Sequence, residues 1–504
     1  MSLKIHNTLT KKVDDFKPIK RNIVSIYSCG PTVYDHLHLG NWSAYIYWDV
    51  LIRLLIKMDY EINRVINITD VGHLTSDADE GEDKLEKSAR REGKNAWKIA
   101  EFYTDEFLKD FEKLKLIKPK YFARATDYIN EQLDLVRKLK NKGFTYQISD
   151  GIYFDTSKFP RYGEFASLNL ESLKPGARVN YNPEKKQPSD FALWKFTRFG
   201  QKHDMEWETP ADLLENNKGN IEYSASNSNS QIPIANSQFM GFPGWHLECS
   251  AIAMKLLGET IDIHTGGIDH IPVHHTNEIA QSESATGVKF CNYWLHNNHL
   301  KINGSKISKS LGNGYTLADL EEKGFSLEDF KMFVLQSHYE NEGNFTFDNL
   351  ESAKNRLKNW KNIAVLRHQT HDTLKGDQEA LKDDNLVPSY ATSQALTEII
   401  EDNLNTPGAL AMVDEIFSEI LETRLEKINQ KSLTQFLKTI DDLLGLGLIE
   451  STPDIDDEAK KLILERKQAR ERKDFKLSDN LRHKLKKMGI ILKDTDRDII
   501  WQYK

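Results

Sequence analysis

Cys29 follows a short apolar run, residues 23–27, and heads the stretch SCGPTVYDHLHLGN, residues 28–41. His38 and Asn41 stand at its other end, where a helical period begins with Tyr47, Val50, Leu51, Leu54 and Leu55 on one face. A thiol is therefore expected at the carboxyl end of a strand, and an imidazole at the mouth of the helix that follows. Open parallel sheets bind ligands at that edge. A helix amino terminus attracts phosphate through its free N–H groups and its dipole. A second group is Lys306, Ile307, Ser308, Lys309 and Ser310, followed by Gly312 and Asn313. Two lysines in such a loop can carry ammonium groups to a polyphosphate and offset charge that builds up in a transition state. No GxxxxGK[ST] string occurs, so an ATP site here must be of another kind. Taken alone, a Lys/Ser-rich surface turn accounts for the string equally well.

A third group collects metal-ligating side chains. Trp245, His246, Glu248 and Cys249 are close in sequence, and Asp262, His264 and Asp269 lie on a strand and turn. Pro272 then opens a helical segment with His274, His275 and Glu278, of which His274 and Glu278 are spaced i, i+4 and share a face. Thiolate, imidazole and carboxylate are all zinc ligands. The bland readings stay open: a lone buried cysteine is more often core, a lone histidine is more often hydrogen-bonded than metallated, and Trp245 serves equally well as a core aromatic. Cys291 has no partner pattern and reads as structural.

These side chains need a scaffold. The run 23–27, the helix after His38 and the apolar strand 62–68 read as a βαβ opening. A second α/β block covers 244–312, with a strand at 260–264. Between them, 115–242 reads as an insertion, and its Asn/Ser-rich part, 216–237, reads as a surface loop. From about Leu350 helical patterning dominates, with a linker near 369–388 and a break at 450–453.

The chain has 504 residues, enough for about three or more domains. Three cysteines without a CxxC pair argue against a disulfide scaffold and for a reducing compartment. No apolar leader or membrane span is visible in the sequence. Net charge is −8, but residues 460–504 carry 15 Lys+Arg against 7 Asp+Glu; the rest has 53 against 69. A basic module appended to an acidic body fits a polyanionic partner.

The HLGN string resembles the HIGH motif of class I aminoacyl-tRNA synthetases, KISKS resembles their KMSKS motif, and the Cys-Gly-Pro-Thr lead-in resembles the cysteine-specific branch. The resemblance runs from about Tyr27 nearly to the end of the chain. It implies an α/β, Rossmann-like catalytic domain at 1–114 and 244–300, split by a connective insertion at 115–243. A loop-bearing junction at 301–349, a helical bundle at 350–450 and a small anticodon-binding domain at 451–504 would follow. It also implies zinc ligands Cys29, Cys249, His274 and Glu278, one ion per chain. Gly30, Thr32, His38, Gly40, Asn41 and Lys309 would meet ATP, with Mg2+; His38, Asn41, Lys306 and Lys309 would act in catalysis; Thr69, Trp245 and Asp269 would receive cysteine. The activity implied is ATP-dependent attachment of L-cysteine to tRNA(Cys) by a cytoplasmic monomer. Cavity fit separates cysteine from serine by only about 1–3 kcal/mol, whereas a zinc ion prefers the softer sulfur. Four departures mark this chain: Asn41 in place of histidine, Ile307 in place of methionine, His264-Thr265 in place of glycines, and Thr276 where relatives have glutamate. Three rival functions are a ligase that joins cysteine to an amino-sugar, a zinc hydrolase and a non-catalytic tRNA-binding paralogue. The basic tail, the KISKS loop and the presence of His38 and Lys309 speak against them in turn.

Overall fold

The computed structural model describes residues 2–74, 81–168, 182–197, 203–215, 239–308, 311–369, 388–423, 428–494 and 499–504. Lys309, Ser310, the run 216–237 and most of the 369–388 linker lie outside the described residues. Strands β1 (Ile23–Ser28), β2 (Glu61–Ile68), β3 (Tyr121–Arg124), β4 (Ile261–Gly267) and β5 (Cys291–Asn297) form one sheet in the order β5-β4-β1-β2-β3. Every pairing in it is parallel. The central strands are covered on both faces, so burial does not alternate along them; β2 is buried continuously from Arg64 to Ile68, polar Arg64 and Asn67 included. Helices α1 (Leu39–Lys57), α2 (Lys84–Glu92), α3 (Trp245–Leu256) and α4 (Thr276–Thr286) surround the site. The chain leaves β1 towards β2 on one side, and β4 joins β1 on the other. The crevice at that switch point is where such sheets bind ligands.

Two boundaries differ from the sequence reading. β3 pairs with β2, from Val65 opposite Tyr121 to Ile68 opposite Arg124, so the catalytic sheet runs past residue 114. β4 does not stop at His264: Thr265, Gly266 and Gly267 continue in register with Leu295, His296 and Asn297. The insertion carries an antiparallel sheet of its own, with strands in the order Thr145–Ile148, Gly151–Phe154, Phe191–Phe196, Met240–Pro243 and Trp207–Glu208. Helices Phe347–Ala364, Tyr390–Glu401, Thr406–Glu422 and Gln430–Leu444 form the bundle, whose core is continuous with buried α1 side chains such as Trp48, Leu51 and Leu55. The last unit, helices Asp457–Glu471 and Phe475–Lys487 with the hairpin Ile490–Asp494/Ile499–Tyr503, has a separate core of Leu462, Leu481, Leu485, Leu492 and Trp501. Arg367 ties it to the bundle by donating to Thr452 Oγ1 (2.8 Å) and to the Ile449 carbonyl (3.1 Å).

Candidate active site and metal centre

Cys29 is the first residue past β1, and its N–H donates to the Thr265 carbonyl of β4 (3.0 Å). Gly30 N–H donates to Asn67 Oδ1 (2.8 Å), and a Cβ at Gly30 would stand 1.5 Å from the Asn67 carbonyl oxygen. Only glycine permits that approach. The following residues lie along the end of β2: Thr69 N–H donates to the Pro31 carbonyl (2.9 Å), and Val33 N–H to the Thr69 carbonyl (3.1 Å). This places Cys29 beside Cys249 of α3 and beside the π-helical turn Ile271–His275 that leads into α4. One ligand atom each from Cys29, Cys249, His274 and Glu278 lies within 4.8 Å of the others. The four residues named from resemblance are therefore neighbours in space.

Glu278 is fully buried, with Oε2 2.9 Å from His264 Nε2 and Oε1 2.9 Å from His274 Nε2. Burial opposes its charge, but the two imidazoles outweigh burial and hold its carboxyl below the ordinary range. Burial likewise opposes charge on His274, but Glu278 and Cys29 raise it to about 10. Burial alone would raise the Cys29 thiol as well; the Cys249 hydrogen bond and the His275 and His270 imidazoles bring it well below its usual value. Cys249 moves the other way, pushed up by burial and by Cys29, so Cys29 is the thiolate of the pair. Two thiols, an imidazole and a carboxylate are a donor set that zinc accepts.

A second set, Cys29, His264, His275 and Glu278, shares two of these residues, so both sets cannot be filled at once. The first opens onto a cleft of about 460 Å³ through Cys29, Cys249 and His274, whereas His264 and His275 are fully buried behind it. His275 Nε2 lies 3.2 Å from Cys29 Sγ and its Nδ1 2.7 Å from His296 Nε2; His246 Nδ1 lies 3.0 Å from His274 Nδ1. These rings orient the first set from outside. The sequence reading mentioned His264 and His275 without assigning them this place.

The same cleft reaches the HLGN turn, since Gly30, Thr32, His38, Gly40, Asn41 and Lys306 also line it. His38 is the N-cap of α1: its Nδ1 accepts from Asn41 N–H (3.3 Å), and Asn41 Oδ1 accepts from His38 N–H (3.1 Å). This capping box commits the Asn41 oxygen to the helix start, a use not foreseen in the sequence. Ile307 Cδ1 lies 3.0 Å from where a Cβ on Gly40 would stand, and Asn313 bridges the loop by accepting from Ser308 N–H (2.9 Å) and donating to the Lys306 carbonyl (3.2 Å). The two signature motifs thus touch through a glycine.

Thr69, Trp245 and Asp269 also line the cleft. Two neighbours have a place here that the sequence does not assign. Glu248, which burial raises to about 8, accepts from the Thr69 hydroxyl and from Asn67 Nδ2 (3.0 Å). His73 stacks on Trp245 with ring centroids 4.1 Å apart and an 11° tilt. It stands four residues past Thr69 in NITDVGH, the only signal that could have pointed to it.

The sequence matches the family described as "tRNA synthetases class I (C) catalytic domain" over residues 15–214 and 224–355. It matches "Cysteinyl-tRNA ligase anticodon binding domain" over residues 452–501. It is 40% identical to the "Cysteine--tRNA ligase" of Treponema denticola over 526 residues, covering 100% of both chains. It is 37% identical to "Cysteine--tRNA ligase 1" of Burkholderia lata, covering 98% of this chain and 96% of that one. Among solved structures, Mycobacterium tuberculosis methionyl-tRNA synthetase in complex with methionyl-adenylate superposes with a TM-score of 0.56 at 14% identity, covering 86% of this chain and 92% of that one. The ternary complex of Agrobacterium radiobacter K84 agnB2 LeuRS with tRNA and LeuAMS gives 0.55 at 12%, covering 86% and 84%; these two share the fold alone. Among the described residues no helix is long and apolar enough to cross a membrane. The catalytic family spans both halves of the parallel sheet and all but a short stretch of the segment between them, the anticodon-binding family covers the carboxyl end, and relatives align from end to end: the chain belongs to the cysteine–tRNA ligases, class I enzymes that form an aminoacyl-tRNA.

Proposed function

We propose that the enzyme joins L-cysteine to ATP as cysteinyl-adenylate, with release of pyrophosphate, and then moves the cysteinyl group to the 3′ end of tRNA(Cys). The observation that carries this reading is one cleft with a thiol-rich cluster at its floor and a capped helix start with Lys306 at its mouth. Cys29, Cys249, His274 and Glu278 would hold one zinc ion per chain, which when bound supplies a soft Lewis acid that takes a thiolate far better than a hydroxyl. His264 and His246 keep Glu278 and His274 in place for that task. Thr69 and Trp245 wall the amino acid, and the Asp269 carboxylate receives its ammonium. His38, Asn41 and the positive end of the α1 dipole hold the phosphates of ATP, which arrives with Mg2+; Gly30, Thr32 and Gly40 leave room for the nucleotide. Lys306 and Lys309 offset the charge on the α-phosphate as the carboxylate attacks. Holding carboxylate and phosphorus in line supplies much of the rate.

Residues 451–504 would grip the anticodon side of the tRNA, and the bundle would carry its body. The protein would act as a monomer in the cytoplasm. The test is ATP–pyrophosphate exchange with cysteine and with serine, before and after chelation. Exchange with cysteine alone, abolished by chelation and restored by zinc, is expected. Equal exchange with serine, or exchange indifferent to chelation, would refute selection by the metal.

A further inference from the structure

Resting on the proposed use of this cleft for amino-acid activation, we infer that Lys84 is a substrate-binding residue which takes the α-carboxylate of the amino acid, and that His73 is its positioning residue. Lys84 lines the cleft, and its Nζ lies 2.6 Å from His73 Nε2. The other ring nitrogen, Nδ1, sits 2.7 Å from Thr32 Oγ1, so His73 donates there and accepts the Lys84 ammonium at Nε2. The backbone repeats the link, since Lys84 N–H donates to the His73 carbonyl (2.9 Å). The ring lies flat on Trp245, 4.1 Å away. Thr32 bridges to Thr69, so the cation is anchored beside the wall of the amino-acid pocket. Lys84 is also the first residue of α2, the end of a helix where a cation is disfavoured. A lysine there, inside a cleft and clamped at two points, fits an anion that must be drawn in. The carboxylate and the triphosphate repel each other as they approach, and a cation in the same cleft lowers that barrier.

The experiment measures exchange kinetics for wild type, Lys84→Ala, Lys84→Arg, His73→Ala and the double variant, with thermal melts and zinc content alongside. Lys84→Ala is expected to raise KM for cysteine about 10–100-fold, the range for a charge-assisted contact, with KM for ATP within about twofold. Lys84→Arg should recover part of the loss. His73→Ala should reproduce part of the effect and add nothing to Lys84→Ala, as coupled residues do. Cysteamine, which has the thiol and amine but no carboxylate, should inhibit wild type and Lys84→Ala equally. A rise in KM confined to ATP, additive variants or weaker cysteamine inhibition in Lys84→Ala would overturn the assignment. Wild-type exchange with cysteine tests the underlying reading separately.

Discussion

At the scale of the residue, the three cysteines fall into different roles by neighbourhood. Cys29 and Cys249 face each other and a histidine–glutamate pair, whereas Cys291 lies at the start of β5 with its thiol 3.3 Å from the Tyr293 carbonyl and 3.7 Å from that of Asp262. Burial raises the Cys291 thiol well above its usual value, which keeps it a neutral core group. Cys249→Ser is expected to lower bound zinc from about one ion per chain to a small fraction of that after dialysis, because a hydroxyl is a poor replacement for thiolate. Cys291→Ser should leave the metal content unchanged. Metal analysis of the two variants side by side checks both, and equal stoichiometry would remove Cys249 from the set.

At the scale of the element, α1 is held by its cap. The His38–Asn41 exchange satisfies two N–H groups that a helix start otherwise leaves open. Asn41→Ala removes the acceptor of the His38 N–H and should cost about 1 kcal/mol of stability and weaken ATP binding, read by a thermal melt and by KM for ATP. Asn41→Asp keeps the acceptor and suits the helix dipole, so its melt should match or exceed wild type, while its added negative charge should raise KM for ATP further than Asn41→Ala does. If Asn41→Asp melts like wild type and also keeps the wild-type KM for ATP, Asn41 acts only through the fold.

At the scale of the whole molecule, Lys331 joins distant parts. Its buried ammonium donates to the carbonyl of Leu114, just after the helix Ala96–Lys113 (3.1 Å), and to that of Gly445, at the end of the bundle (2.8 Å). Burial lowers it to about 8. Below that pH the lysine is charged whether folded or not, and the full cost of burying it is present. Between about pH 8 and the ordinary lysine value, near 10.4, the unfolded chain binds more protons, so stability from this group rises with pH. Urea unfolding at pH 7.5 and 9.5 should show wild type gaining on Lys331→Met at the higher pH, by on the order of 2 kcal/mol. A constant difference would mean that the ammonium is solvated in the folded protein.

Much of the catalytic half was legible because its signals are local. The apolar run before Cys29, the helical period after His38 and the β2 run each report on residues close along the chain. The gathering of Cys29, Cys249, His274 and Glu278 was legible only by resemblance: Cys29 and Cys249 are separated by the whole insertion. They meet because β4 pairs with β1, Thr265 opposite Ser28, and α3 and α4 pack beside that edge. The charge of the carboxyl terminus was read as one feature, yet Arg466 is buried and binds Asp494 through both terminal nitrogens, 2.8 Å each, so part of that charge holds the small domain together. From the sequence alone came the chemistry at the ends of β1 and α1 and the division of the chain into catalytic, helical and basic parts. Only the tertiary structure decided that Glu278 is flanked by His264 and His274, that Ile307 rests against Gly40, and that His73 joins Trp245 to Lys84. Those contacts depend on sheet register and burial, and neither is written into the spacing of residues along the chain.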